Sequence, residues 1–180
     1  MEKGKNEIAI LGAGCFWCIE TIFQQLNGVE SVQSGYSGGH VKNPSYKEVC
    51  NGTTGHAEVA RINFNPEVVS FTEILEVFWK VHDPTTLNRQ GGDIGTQYRS
   101  AVFYTSETQK ELAEKYKTKL DQSGVYANPI VTEITAFDVF YPAEDYHNDY
   151  YNLHGDEQYC RLVIQPKVEK FKKVFSDKLK

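Results

Sequence analysis

Ile8-Ala9-Ile10-Leu11-Gly12-Ala13-Gly14-Cys15-Phe16-Trp17-Cys18-Ile19-Glu20 changes its apolar period halfway along, and that change decides the fold. Residues 8–13 form a short apolar run among glycines, the pattern of a buried strand. From Cys15 onward the apolar residues fall at 15, 16, 18, 19, 22, 23 and 26, a helical stripe that Gly28 stops. Working outward, residues 29–36 read as a second strand, and Gly38-Gly39-His40 with Asn43-Pro44 then force a loop. Residues 57–64 alternate and give a third strand. Ser70 and Glu73 form a capping box for a helix through Val81, ended by Asp83-Pro84. Residues 99–104 are a fourth strand, and Ser106 with Gln109 caps a helix that stops near Gly124. Beyond it, residues 130–140 are expected as a fifth strand and 143–152 as a helix, with Phe171 and Val174 on a Lys-rich C-terminal helix. The first six elements run β-α-β-β-α-β, the split βαβ arrangement. The expectation is an α+β protein, a two-layer α/β sandwich with a ferredoxin-like core and C-terminal additions. No repeat, low-complexity tract or linker interrupts residues 1–180, so one domain is expected.

A chain of 180 residues hides about 70% of its unfolded surface and can build a core without staples. Nineteen Lys and Arg against 24 Asp and Glu give a formal charge of −5, which argues against a nucleic-acid or anionic-membrane binder. No apolar run reaches bilayer length, and the charged start Met1-Glu2-Lys3-Gly4-Lys5 lacks a signal peptide's pattern. A cytoplasmic protein is therefore expected, with its four cysteines as reduced, reactive or buried thiols rather than a disulfide framework.

Cys15 sits where a strand ends and a helix begins, where unpaired N–H groups and the helix dipole favour a thiolate. The glycines before it leave room for a substrate. Cys18 lies one turn on, at a spacing that allows a disulfide, yet it also fits the apolar stripe with Ile19 and Ile22. Phe16 and Trp17 could wall a pocket beside Cys15 or be plain core. Glu58 shares a strand face with Ala60, Ile62 and Phe64. On an apolar face its carboxyl would be held protonated, a proton donor; at the strand's first turn it would simply reach water. Residues 83–98 read as a long structureless connection offering Asp93, Gln97 and Tyr98 to a polar substrate. Cys50, Cys160 and the five histidines are too scattered for a zinc site, and no Gly-rich phosphate loop follows a strand, so neither metal nor nucleotide cofactor is expected.

In this order along the chain, Gly14-Cys15-Phe16-Trp17 with Glu20, Ser34-Gly35-Tyr36-Ser37-Gly38-Gly39, and Asn43-Pro44-Ser45-Tyr46 resemble motifs of the A-type peptide methionine sulfoxide reductases. So do Thr53-Thr54-Gly55-His56-Ala57-Glu58, Asp83-Pro84-Thr85, Gly95-Thr96-Gln97-Tyr98-Arg99-Ser100 and Ala143-Glu144-Asp145-Tyr146-His147. The resemblance spans residues 8–168. It implies reduction of the S epimer of methionine sulfoxide, free or in proteins, with Cys15 as nucleophile and Phe16 and Trp17 holding the S-methyl group. Glu58 would bind and protonate the sulfoxide oxygen, helped by Tyr46 and Tyr98, with Asp93 in support. The product on Cys15 is a sulfenic acid, which a second thiol condenses to a disulfide. Thioredoxin, or dithiothreitol in its place, would return the disulfide to thiols with no cofactor, and a monomer is expected. Members of the family differ in the recycling thiol. Some carry a cysteine at the position of Cys18 and others one resembling Cys160, whereas this chain has both. The expectation is that Cys18 resolves first and Cys160 relays the disulfide outward, with Cys50 structural. The rival functions are a general thiol–disulfide oxidoreductase and a non-enzymatic interaction domain.

Overall fold

The computed structural model describes residues 4–180. Its strands are β1 (Glu7–Ala13), β2 (Val29–Ser37), β3 (Ala57–Phe64), β4 (Arg89–Gln90), β5 (Asp93–Ile94), β6 (Ser100–Tyr104), β7 (Glu133–Ala136) and β8 (Phe140–Pro142). The α-helices are α1 (Phe16–Gln24), α2 (Tyr46–Cys50), α3 (Phe71–Lys80), α4 (Glu107–Ser123), α5 (Tyr150–His154) and α6 (Gln165–Val174). The protein is a mixed α+β fold in which six strands form one sheet, ordered β7-β6-β1-β3-β2-β8. Neighbours are antiparallel except β6 and β7, which are parallel.

The alternation read from the sequence is what gives the sheet two faces. Ala9, Leu11, Ala60, Ile62 and Phe64 point to one side, where Ile19, Ile22 and Phe23 of α1, Ile74 and Phe78 of α3, and Val168 and Phe171 of α6 cover them. Each of the Leu, Ile, Val and Phe side chains among them, fully buried, contributes roughly 1.5–3 kcal/mol. The other side carries Ile10, Val59, Ala101 and Phe103, covered by Ile8, Phe137 and Phe140.

Both helix-start signals act as expected. The Ser70 hydroxyl accepts from the Glu73 N–H while the Glu73 carboxylate accepts from the Ser70 N–H, each at 3.1 Å. Ser106 accepts from the Gln109 N–H at 3.2 Å, and Gly124 closes α4 in the left-handed region at φ 72°.

Four expectations need correction. Residues 130–140 are not one strand: after β7 the chain crosses from one edge of the sheet to the other, where β8 pairs with β2. Residues 143–152 are not one helix, because Asp149 at φ 58° breaks a 3-10 turn (Asp145–His147) from α5. The expected loop after β2 contains α2, started by a second capping box between Ser45 and Glu48. The 83–98 connection is ordered by the β4–β5 hairpin and a 3-10 turn (Thr96–Tyr98). Cys160–Ile164 forms a π-turn that runs directly into α6.

Candidate active site

The antiparallel pairing of β1 with β3 brings the end of β1, and so the start of α1, to the beginning of β3. Gly14 makes the turn at φ 89°, a conformation that favours glycine, and a Cβ there would lie 2.8 Å from the Gln90 side chain. Cys15 is the N-cap of α1, and the first helical N–H, that of Phe16, donates to Glu58 Oε1 at 3.2 Å. Glu58 is 1% exposed, and its Oε2 has no partner among the described residues. The face reading of Glu58 therefore holds, and the alternative of a residue reaching water does not. Burial, with the nearby Asp93 charge adding to it, pushes its carboxyl up to about 8 against the opposing pull of the Phe16 N–H.

Packing works against the thiolate expected at Cys15. Burial first, then the charges of Glu58 and Cys18, hold the thiol well above its ordinary value. The Trp17 N–H and the Tyr159 hydroxyl pull the other way and lose. Position at a helix start was a sound signal for a special cysteine. It could not show that the helix's leading donor is taken by a carboxyl from β3.

Around these two groups stands a box of aromatic rings. Phe16 lies 5.8 Å from Tyr36 and 6.3 Å from Tyr46, ring centre to ring centre. Trp17 stacks on Tyr150 at 3.8 Å and 6°, and meets Tyr159 edge-on at 5.8 Å. The Trp17 indole N–H donates to His147 Nδ1 at 3.1 Å. Tyr46 and Tyr98 both feel the Glu58 charge, and burial raises both hydroxyls. Cys50 interacts electrostatically with both hydroxyls, so it stands beside the site. Asp93 joins through Tyr159, whose hydroxyl donates to Asp93 Oδ2 at 2.7 Å.

Cys18 and Cys160 are both buried in the main core, and all four cysteines are free thiols. Burial pushes Cys18 up to about 11, against the opposing charge of Lys167, and the Cys160 charge adds to the rise. All nine site candidates from the sequence thus belong to one neighbourhood. Glu144, His147, Tyr150 and Tyr159 complete it; Glu144 and His147 lie in the 143–147 motif and Tyr159 adjoins Cys160, whereas Tyr150 had no local signal. Glu144 accepts from the Tyr36 hydroxyl and the Tyr46 N–H, both at 3.2 Å. Among the described residues no group of three or more His, Cys, Asp or Glu could hold a metal ion, and no helix is long and apolar enough to cross a membrane.

Comparison with known proteins gives one answer. A family model described as peptide methionine sulfoxide reductase matches residues 7–179. The peptide methionine sulfoxide reductase MsrA of Saccharolobus solfataricus is 54% identical over 174 residues, covering 97% of each chain. That of Chromobacterium violaceum is 52% identical over 170 residues, covering 94% of this chain and 97% of its own. Among solved structures, reduced Mxr1 from Saccharomyces cerevisiae superposes with a TM-score of 0.81 at 35% identity, covering 88% of this chain and 91% of its own. Methionine sulfoxide reductase A of Corynebacterium diphtheriae gives 0.75 at 34%, covering 85% and 78%. Mxr1 has also been solved in complex with Trx2, a likeness of 0.58 at 24% identity, covering 83% and 87%.

Proposed function

The chain belongs to the peptide methionine sulfoxide reductase family and catalyses thiol-dependent reduction of methionine sulfoxide; from that premise we propose how its residues divide the work. Cys15 is the nucleophile and Glu58 the acid. Phe16 and Trp17 hold the S-methyl group, and Tyr46 and Tyr98 flank the sulfoxide oxygen. Asp93 supports them through Tyr159. One observation carries this reading: beside Cys15 lies a buried carboxyl, protonated at neutral pH, with one oxygen unpartnered. A buried polar atom without a partner costs about 1–3 kcal/mol, which a substrate oxygen would recover.

The raised Cys15 and Glu58 give a proton account that balances. Glu58 protonates the sulfoxide oxygen. As Cys15 Sγ attacks the sulfoxide sulfur, its own proton passes to the Glu58 carboxylate. In the adduct the oxygen, carrying the proton Glu58 gave, migrates from the substrate sulfur to Sγ as the S–O and the new Sγ–S bonds break, which leaves a sulfenic acid on Cys15 and releases methionine as the thioether. Glu58 ends protonated as it began. Cys15 has lost two electrons and the substrate has gained them.

The Cys18 thiol then displaces the sulfenic oxygen as water and forms the Cys15–Cys18 disulfide. Cys160 attacks Cys18, which frees Cys15 and leaves a Cys18–Cys160 disulfide for an external dithiol. The core that Cys18 and Cys160 share, with Cys15 buried one turn before Cys18, supports that order, and Cys160 sits on a π-turn, a form frequent at functional sites. The solved complex of Mxr1 with Trx2 supports thioredoxin as the reductant, with dithiothreitol as its substitute in vitro. The substrate is the S epimer, free or in proteins, and the protein works as a cytoplasmic monomer, a setting in which its thiols stay reduced. Residues 1–180 act as one domain. Its core is ferredoxin-like, a description supported by the order β6-β1-β3-β2 with α1 and α3 as the crossings.

The test is turnover of separated S and R epimers with dithiothreitol, by the protein as it stands and by Cys15→Ser. Reduction of the S epimer alone, lost on substitution, is expected. A folded protein that reduces neither epimer but exchanges disulfides would establish the oxidoreductase rival instead.

A further inference from the structure

We propose that His147 is a positioning residue: it sets the Trp17 ring, and through that ring the fit of the substrate's S-alkyl group. The inference rests on the reading of Trp17 as a wall of the substrate pocket. An indole N–H can only donate, so the 3.1 Å contact makes His147 Nδ1 the acceptor. The imidazole is then neutral, with its proton on Nε2. That nitrogen is buried and has no partner among the described residues, and burial, opposed by the Glu144 charge, lowers the histidine's affinity for a second proton.

Stacking on Tyr150 fixes the plane of the Trp17 ring, and Tyr159, Phe16 and Tyr46 bound it with centroids at 5.8, 6.5 and 6.5 Å, contacts that carry little direction within that plane. The hydrogen bond to His147 is the directional contact that sets it. His147 is itself placed from two directions. Its N–H donates to the Glu144 carbonyl at 2.9 Å, and its ring packs against Tyr146 at 4.0 Å and Tyr46 at 4.4 Å. Glu144 is anchored in turn by the Tyr36 hydroxyl and the Tyr46 N–H. The acceptor for Trp17 therefore hangs on the same residues that line the pocket, 130 positions away in sequence.

The experiment compares the full-length protein with His147→Leu, His147→Gln and Trp17→Leu, driven by dithiothreitol. It measures kcat and KM for methionine sulfoxide and ethionine sulfoxide, together with the indole N–H resonances of the two tryptophans, assigned by Trp17→Leu. One methylene in a fitted pocket is worth about 10-fold or more. His147→Leu is expected to displace or broaden the Trp17 resonance, raise KM, and cut the methyl-over-ethyl preference by about tenfold. His147→Gln, whose amide oxygen can accept from the indole, is expected to restore most of both. If Trp17→Leu lowers the preference and folded His147→Leu does not, the positioning claim fails alone. If Trp17→Leu leaves the preference unchanged, the proposal falls together with the pocket reading. Equal impairment by Gln and Leu also overturns it.

Discussion

Glu58 and Glu20 are both buried carboxyl groups raised by burial. Glu20, on the buried side of α1, is satisfied. The Ser34 hydroxyl donates to it at 2.6 Å, and the Asp149 N–H donates to its other oxygen. It ties α1 to β2 and to the turn that starts the 149–160 wall. Glu58, at the head of β3, keeps one oxygen unpartnered beside Cys15. The same residue type under the same desolvation thus serves architecture where its lone pairs are filled and chemistry where one is left open.

Substitution should separate the two regions. Glu58→Gln removes the proton donor and is expected to lower kcat by roughly 10²–10⁴-fold in steady-state assays. The same change should stabilise the fold at high pH. A carboxyl at about 8 in the folded state binds more protons there than in the unfolded chain, so wild-type stability falls as pH rises from the ordinary carboxylate range through about 8. Thermal melts of the glutamine variant should lose that slope, and a variant that melts lower than wild type at pH 9 would break the comparison. Cys18→Ser should leave the first methionine formed per enzyme intact but slow thioredoxin-driven turnover, because the sulfenic acid loses the proximity of a thiol held one turn away. Unchanged steady-state turnover would make Cys160 the first resolving thiol.

Glu20→Gln can keep its amide oxygen on the Asp149 N–H only by turning its NH₂ to Ser34, whose hydroxyl must then accept, so it should cost about 1.5 kcal/mol in chemical denaturation, with any loss of activity following from a loosened wall. If it instead abolished methionine formation in a protein of unchanged stability, Glu20 would belong with the chemistry. The smallest effect is expected from Ser70→Ala. It removes the cap of α3, far from both carboxyls, for about 1 kcal/mol and no change in kcat.

Sheet and helix periods in the sequence carried the floor of the site. Period-2 alternation placed Glu58 on the core face, and the switch at Gly14 placed Cys15 at a helix start. The wall was not legible that way. Trp17 meets His147, and Glu20 meets Asp149, across about 130 residues, and no local pattern encodes such a contact. The expected helix at 143–152 fails for the same reason: Glu20 holds Asp149 in the left-handed region, a tertiary bond overriding local preference. At Cys15 the helix start and burial act in opposite directions, and burial, the larger cause of the raised thiol, is not legible in the sequence.

The most direct test of the account is the pH dependence of a single turnover, methionine formed from the S sulfoxide by fully reduced protein without added thiol. Wild type should be fast at neutral pH and lose rate with a midpoint near 8, where Glu58 gives up its proton. Glu58→Gln should be slow and lack that falling limb. A wild-type rate that instead climbs through pH 8 to 9, as a thiolate-limited reaction would, contradicts the claim that a protonated Glu58 and a neutral Cys15 begin the reaction.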